Sequence, residues 1–122
     1  MANQVTWFEV TGKDGAKLQR FYGDVFGWGA RDMSMGEMGT YTIFTSGDVD
    51  VAGCMPIQPG MEAPPSWTVY VGTDDVDASA KKAKELGGSL IVEPMDIPGD
   101  MGRFAIAADP TGAVFGLYKS AQ

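Results

Sequence analysis

Gly36-Glu37-Met38-Gly39-Thr40-Tyr41 returns 63 residues later as Gly99-Asp100-Met101-Gly102-Arg103-Phe104: glycine, acid, methionine, glycine, any residue, aromatic, in both copies. Val51-Ala52-Gly53-Cys54 returns at the same spacing as Val114-Phe115-Gly116-Leu117. Nearer the front of each half the offset is 61, from Asp14 to Asp75 and from Gly27 to Gly88, so a small length change separates the two blocks. In a chain of 122 residues this makes the second half a repeat of the first. Two copies are too few for a solenoid, which needs about three. Two like modules that each bury little surface alone should pack on one another, with a pocket where they meet as the natural working site.

Composition narrows the class. With 44% hydrophobic residues the chain can build one core, and it is too short for two independent domains of ordinary size. The expected organisation is a single domain of two repeats: a first module over 1–57, a linker over 58–65 holding Pro59, Gly60, Pro64 and Pro65, and a second module over 66–122. No apolar run approaches a membrane span, and the first residues lack the basic-then-apolar pattern of a secretory signal. The single Cys54 has no disulfide partner within the chain, which points to a reducing cytoplasm. Sixteen acidic side chains against nine basic ones give a net charge of -7, which disfavours nucleic acid and anionic membrane surfaces as partners.

Each half reads as βαβββ. Residues 5–10 and 67–72 are rich in β-branched and aromatic residues, as strands require. A helix follows over about 14–26, where Leu18, Phe21, Tyr22, Val25 and Phe26 recur at helical spacing as one apolar stripe. In the second half Asp74 or Asp75 can cap a helix whose last turn gathers Lys81, Lys82 and Lys84 and which stops at Gly87. Its stripe is Val76, Ala80, Ala83 and Leu86. Three short extended runs follow each helix, at 28–34, 40–46 and 50–56, then 89–95, 103–108 and 113–119. Asp109-Pro110-Thr111-Gly112 marks the turn between the last two.

Strand alternation sorts the faces. Phe8 and Val10 are expected against the first helix, sending Trp7 and Glu9 to the other side. The repeat then turns Thr68 and Tyr70 the same way, and Gly53, Met55, Gly116 and Tyr118 hold the matching places on the last strand of each module. The predicted ligand-binding set is therefore Trp7, Glu9, Gly53, Met55, Thr68, Tyr70, Gly116 and Tyr118.

The Trp7-Phe8-Glu9 strand, the helix end Phe21-Tyr22 then Val25-Phe26-Gly27-Trp28, the Val51-Ala52-Gly53 strand, the Asp74-Asp75-Val76-Asp77 helix start, Gly87-Gly88 and the Asp109-Pro110-Thr111-Gly112 hairpin together resemble the vicinal oxygen chelate superfamily of glyoxalase I, bleomycin resistance proteins and extradiol dioxygenases. The resemblance runs through essentially the whole chain. It implies an α+β fold of paired βαβββ modules curling into an eight-stranded open cup, completed by a homodimer. It also implies where metal-binding members carry their ligands: at Trp7 and Thr68 on the first strands and at Gly53 and Gly116 on the last. None of these four supplies an imidazole or a carboxylate, and the chain contains no histidine. Divalent metals of lyase or dioxygenase type need three or four such donors. Neither metal nor cofactor is expected.

Glu9 is the sharpest remaining candidate. A carboxylate on the inner face can hold a cationic ligand or, desolvated, act as a general base; the alternative is a solvated rim residue or one paired to the backbone. Trp7, Tyr70 and Tyr118 can form a stacking platform, or ordinary core or dimer packing. Met33, Met35, Met38, Met55, Met95 and Met101 suit a pocket that tolerates several ligand shapes, and equally serve as core filler. Cys54 should point to the helix layer as a structural thiol with no histidine to activate it. Asp74, Asp75 and Asp77 read as helix capping, since a calcium loop needs a glycine and a distal glutamate they lack.

The leading expectation is metal-independent binding of a small organic molecule, cationic or aromatic, by sequestration as in bleomycin resistance. The competing one is a metal-free enzyme of lyase or isomerase type, with Glu9 abstracting a proton and Tyr70 or Tyr118 steadying the oxyanion. A third is an interaction module whose cup is filled by its own side chains.

Overall fold

The computed structural model describes residues 3–36, 39–57 and 64–121. Ten elements follow in the order β1 (Val5–Gly12), α1 (Gly15–Phe26), β2 (Gly29–Ser34), β3 (Thr40–Ser46), β4 (Val49–Pro56), β5 (Ser66–Gly72), α2 (Val76–Glu85), β6 (Ser89–Asp96), β7 (Arg103–Ala108) and β8 (Val114–Lys119). This is βαβββ twice, an α+β fold with eight strands in the open order β2-β3-β4-β1-β5-β8-β7-β6. The chain divides into two compact units, one of Trp7–Trp67 and one of Met1–Thr6 with Thr68–Gln122.

In the Trp7–Trp67 unit, β3 runs antiparallel to β2 and to β4, and β4 lies parallel to β1 with Glu9 opposite Gly53 and Val10 opposite Cys54. Asp14 starts α1 by accepting the Lys17 N–H at 3.1 Å, and Gly27 ends it in the left-handed conformation at φ 73°, donating to the Gly23 carbonyl. The core is Val10, Phe44, Ala52 and Cys54, with Leu18, Tyr22, Trp28 and Val51 packed on it. Cys54 lies among the helix-facing residues, as alternation predicts, and burial pushes its thiol up to about 11.

The α1 stripe is only partly a core face. Leu18 and Tyr22 pack inward, while Phe21, Val25 and Phe26 are 57%, 54% and 59% exposed. Phe21 and Phe26 stand roughly 60° and 80° to either side of Leu18 at about 100° per residue, and Val25 lies in the last turn. Phe8 shares the Val10 face but is about half exposed.

In the second unit β5 pairs parallel with β8, and β8 and β6 flank β7 antiparallel. Gly72 of β5 exchanges backbone hydrogen bonds with Asn3 and Gln4. Asp75 caps α2, accepting from the Ala78 N–H at 3.0 Å, and Asp77 pairs instead with Arg103 at 2.7 Å. Val76 and Ala80 bury against Ala105 and Leu117, whereas Leu86, the residue just past the last turn, is exposed. The expected turn forms around Asp109, whose Oδ1 accepts from the Thr111 hydroxyl at 2.7 Å and from the N–H groups of Thr111 and Ala113. The Thr111 hydroxyl, more than any other donor, holds that carboxyl below its ordinary range. Among the described residues no helix is long and apolar enough to cross a membrane.

Candidate functional site

The face of the Trp7–Trp67 unit opposite α1 is built around a residue that the first and last strands do not contain. In β3, Thr42 and Phe44 are buried toward the helix, so Tyr41 and Ile43 point the other way. There Tyr41 meets three of the predicted residues. Trp7 Nε1 donates to the Tyr41 hydroxyl oxygen at 2.7 Å. The Glu9 carboxylate lies near enough for its charge to bear on the same hydroxyl. Burial first, and the Glu9 charge second, drive the Tyr41 phenol far above its ordinary value, so it stays protonated. Glu9 itself is only 9% exposed.

Gly53 makes this arrangement possible. A Cβ at that position would stand 1.7 Å from the Tyr41 Oη and 2.9 Å from Trp7 Nε1. The phenol therefore fills the space that a metal-ligating side chain on β4 would need. Met55 lies two residues on along the same strand, half-buried and in register with Thr11.

The second unit repeats the geometry with different chemistry. Tyr70 stands in register with Gly116, and a Cβ on Gly116 would stand 2.2 Å from the Tyr70 ring. Here the covering ring comes from β5, at the repeat position of Glu9, while Phe104 takes the repeat position of Tyr41. Tyr70 and Thr68 are buried. Tyr118 spends its hydroxyl hydrogen on the Met101 carbonyl at 2.8 Å, and burial raises its phenol.

The expected residues thus fall into two sets, Trp7, Glu9, Gly53 and Met55 in one unit and Thr68, Tyr70, Gly116 and Tyr118 in the other. Tyr41 was not expected. Of the methionines, Met35 is buried, Met33, Met55 and Met101 are half-buried, Met95 is exposed, and Met38 lies outside the described residues.

A separate cleft of about 400 Å³ opens on the helix side of the Trp7–Trp67 unit, lined by Gln19, Asp32, Thr42 and Cys54 among others. Its polar groups bond one another: Gln19 Nε2 donates to Asp32 and Thr42, and the Thr42 hydroxyl donates to Asp32 at 2.7 Å. Among the described residues, no three of His, Cys, Asp and Glu converge to hold a metal ion. The residues at the four places where the superfamily carries ligands do not fit one.

Residues 4–117 match the model of the Glyoxalase/Bleomycin resistance protein/Dioxygenase superfamily, and the chain belongs to that superfamily. It is 44% identical over 102 residues to CFP32 of Mycobacterium tuberculosis, named as a glyoxylase, covering 83% of this chain and 38% of CFP32. It is 37% identical over 126 residues to the anthracycline biosynthesis protein DnrV of Streptomyces peucetius, covering 93% of this chain and 46% of DnrV. The chain therefore spans less than half the length of these relatives. A variant of Streptomyces coelicolor methylmalonyl-CoA epimerase, solved with 2-nitronate-propionyl-CoA, shares the fold at a TM-score of 0.68 and 16% identity, each chain covered in full.

The packing over Gly53 yields a direct prediction. Gly53→Ala should expel the Tyr41 phenol and break its bond to Trp7, costing about 1–3 kcal/mol of stability. The Trp7 indole N–H resonance should move and its solvent exchange quicken. An unchanged resonance at unchanged stability would contradict the packing.

Proposed function

We propose that the chain binds a small organic molecule, cationic or aromatic, without a metal, at the Trp7–Glu9–Tyr41 face. The observation that carries this is a nearly buried carboxylate, Glu9, beside the hydrogen-bonded aromatic pair Trp7 and Tyr41, at a place where the resemblance puts metal ligands in other members of the superfamily. A carboxylate on this face can accept from a ligand's positive or donor group. The named roles of DnrV in anthracycline biosynthesis and of the epimerase in binding a CoA ester support an organic ligand. Sequestration, as in bleomycin resistance, needs nothing more than occupancy. In this reading Met55, on the same strand as Gly53, belongs to that ligand-binding face, while Thr68, Tyr70, Gly116 and Tyr118 form the matching face of the second unit.

A second reading is enzymatic, with Glu9 as general base in a lyase or isomerase reaction. The desolvated carboxylate favours it, as do the glyoxylase and epimerase names. Tyr118 is poorly placed to steady an oxyanion, because its hydrogen already serves Met101. The buried thiol of Cys54 suits a reducing compartment such as the cytoplasm.

The partner in this proposal, besides the ligand, is a second copy of the chain. Phe21 and Phe26 leave more apolar surface open on α1 than a lone chain needs. Light scattering should give twice the 13.0 kDa chain mass at micromolar concentration, and a particle of one chain mass throughout would refute the dimer.

Benzylammonium and benzyl alcohol, as charged and neutral probes of one shape, test the site. Wild-type protein should hold benzylammonium more tightly, and Glu9→Gln should weaken it by about 1–3 kcal/mol while sparing the alcohol. Stability should hold or rise, since Gln keeps the shape and removes a buried charge. Equal affinity for the two probes in wild type would sink the binding reading. Binding that survives Glu9→Gln while exchange of a carbon-bound proton stops would favour the base.

A further inference from the structure

We propose that the cleft on the helix side of the Trp7–Trp67 unit is a second ligand site, independent of the Glu9 face, and that it takes a small organic cation carrying N–H groups, such as a primary ammonium. Three side chains carry the inference: Gln19 on α1, Asp32 on β2 and Thr42 on β3.

Their hydrogen bonds can run in only one sense. An ionised carboxylate only accepts, so Gln19 turns its amide nitrogen to Asp32 at 3.1 Å, and the Thr42 hydroxyl spends its hydrogen there at 2.7 Å. The Thr42 oxygen then accepts the other amide hydrogen of Gln19, at 2.9 Å. Every donor of the triangle is consumed. What remains are acceptors: the carbonyl oxygen of Gln19, and Oδ2 of Asp32, since both bonds to that carboxylate land on Oδ1.

The fold makes no use of the remaining charge. The two bonds to Oδ1 tie α1 and β3 to β2, and an uncharged amide oxygen would accept both of them as well. Among the described residues the ion pairs engage Asp50, Asp77 and Asp96, and neither Lys nor Arg lines the cleft. Cys54 adds no second anion to the wall, because burial first, and the charges of Glu9 and Asp32 after it, raise its thiol to about 11. Thr42 is buried, Gln19 half-buried and Asp32 exposed, which leaves the carboxylate where a ligand can reach it. A cleft of about 400 Å³ with one unneutralised acid and only acceptors left over in its triangle matches a small cation that donates.

The test is an NMR titration of nitrogen-15-labelled protein with ethylammonium, read at the Gln19 side-chain amide and the Thr42 backbone amide. Three heavy atoms limit this probe to about millimolar affinity, and both resonances should move and saturate in that range. Tetramethylammonium, a cation without N–H, and ethanol, a donor without charge, should bind about tenfold more weakly or worse, the worth of a charge-assisted hydrogen bond. Asp32→Asn keeps the shape and an accepting oxygen, so it should fold as wild type does and lose about tenfold in affinity. Glu9→Gln should leave this titration unchanged, so failure at either site leaves the other reading standing. No saturable shift at Gln19, equal affinity for either control probe, or unchanged affinity in Asp32→Asn overturns the proposal. Should that variant not fold, the wild-type comparison of the three probes decides.

Discussion

A side chain at position 53 and the Tyr41 phenol exclude one another, and the local chemistry of the Trp7–Trp67 unit follows from that. With glycine there, the hydroxyl accepts from the Trp7 indole at 2.7 Å with the Glu9 carboxylate nearby. With a larger residue there, the phenol would have to leave, and Trp7 would lose its partner. Glycine on β4 is therefore what lets the hydrogen-bonded Trp7–Tyr41 pair close over this part of the sheet.

The second unit shows the same exclusion met by other means. The Tyr70 ring lies over Gly116, and the hydroxyl of Tyr118 is committed to the backbone of Met101. The repeat thus preserves strands, helix caps and the two glycines, while the groups above those glycines differ. Repetition of fold is not repetition of chemistry, because backbone pairing and helix capping tolerate many side chains whereas a carboxylate tolerates few neighbours.

Most of the fold was legible in the residues. Eight extended runs and two helices match the observed elements to within one or two residues, because turns such as Asp109–Gly112 and caps such as Asp14 and Asp75 punctuate them. The inward direction of Trp7 and Glu9 followed from alternation with Val10. Tyr41 lies on β3, outside the first and last strands of each module from which the expected set was drawn. The signal was available: Tyr41 and Ile43 alternate against Phe44, and Ile43 stands in register with Gly53. What periodicity could not supply was coverage. It found the α1 stripe but not that Phe21, Val25 and Phe26 remain open, since that depends on what the sheet presents to each flank of the helix.

The central claim is that aromatic and carboxylate groups above Gly53 form a site for an organic ligand and not for a metal. Native mass spectrometry of freshly prepared protein addresses it most directly. The account predicts that any mass bound at stoichiometric level is an organic molecule, and that this mass is lost in Glu9→Gln. One transition-metal ion per chain, released by a chelator and absent from Glu9→Gln, would contradict it.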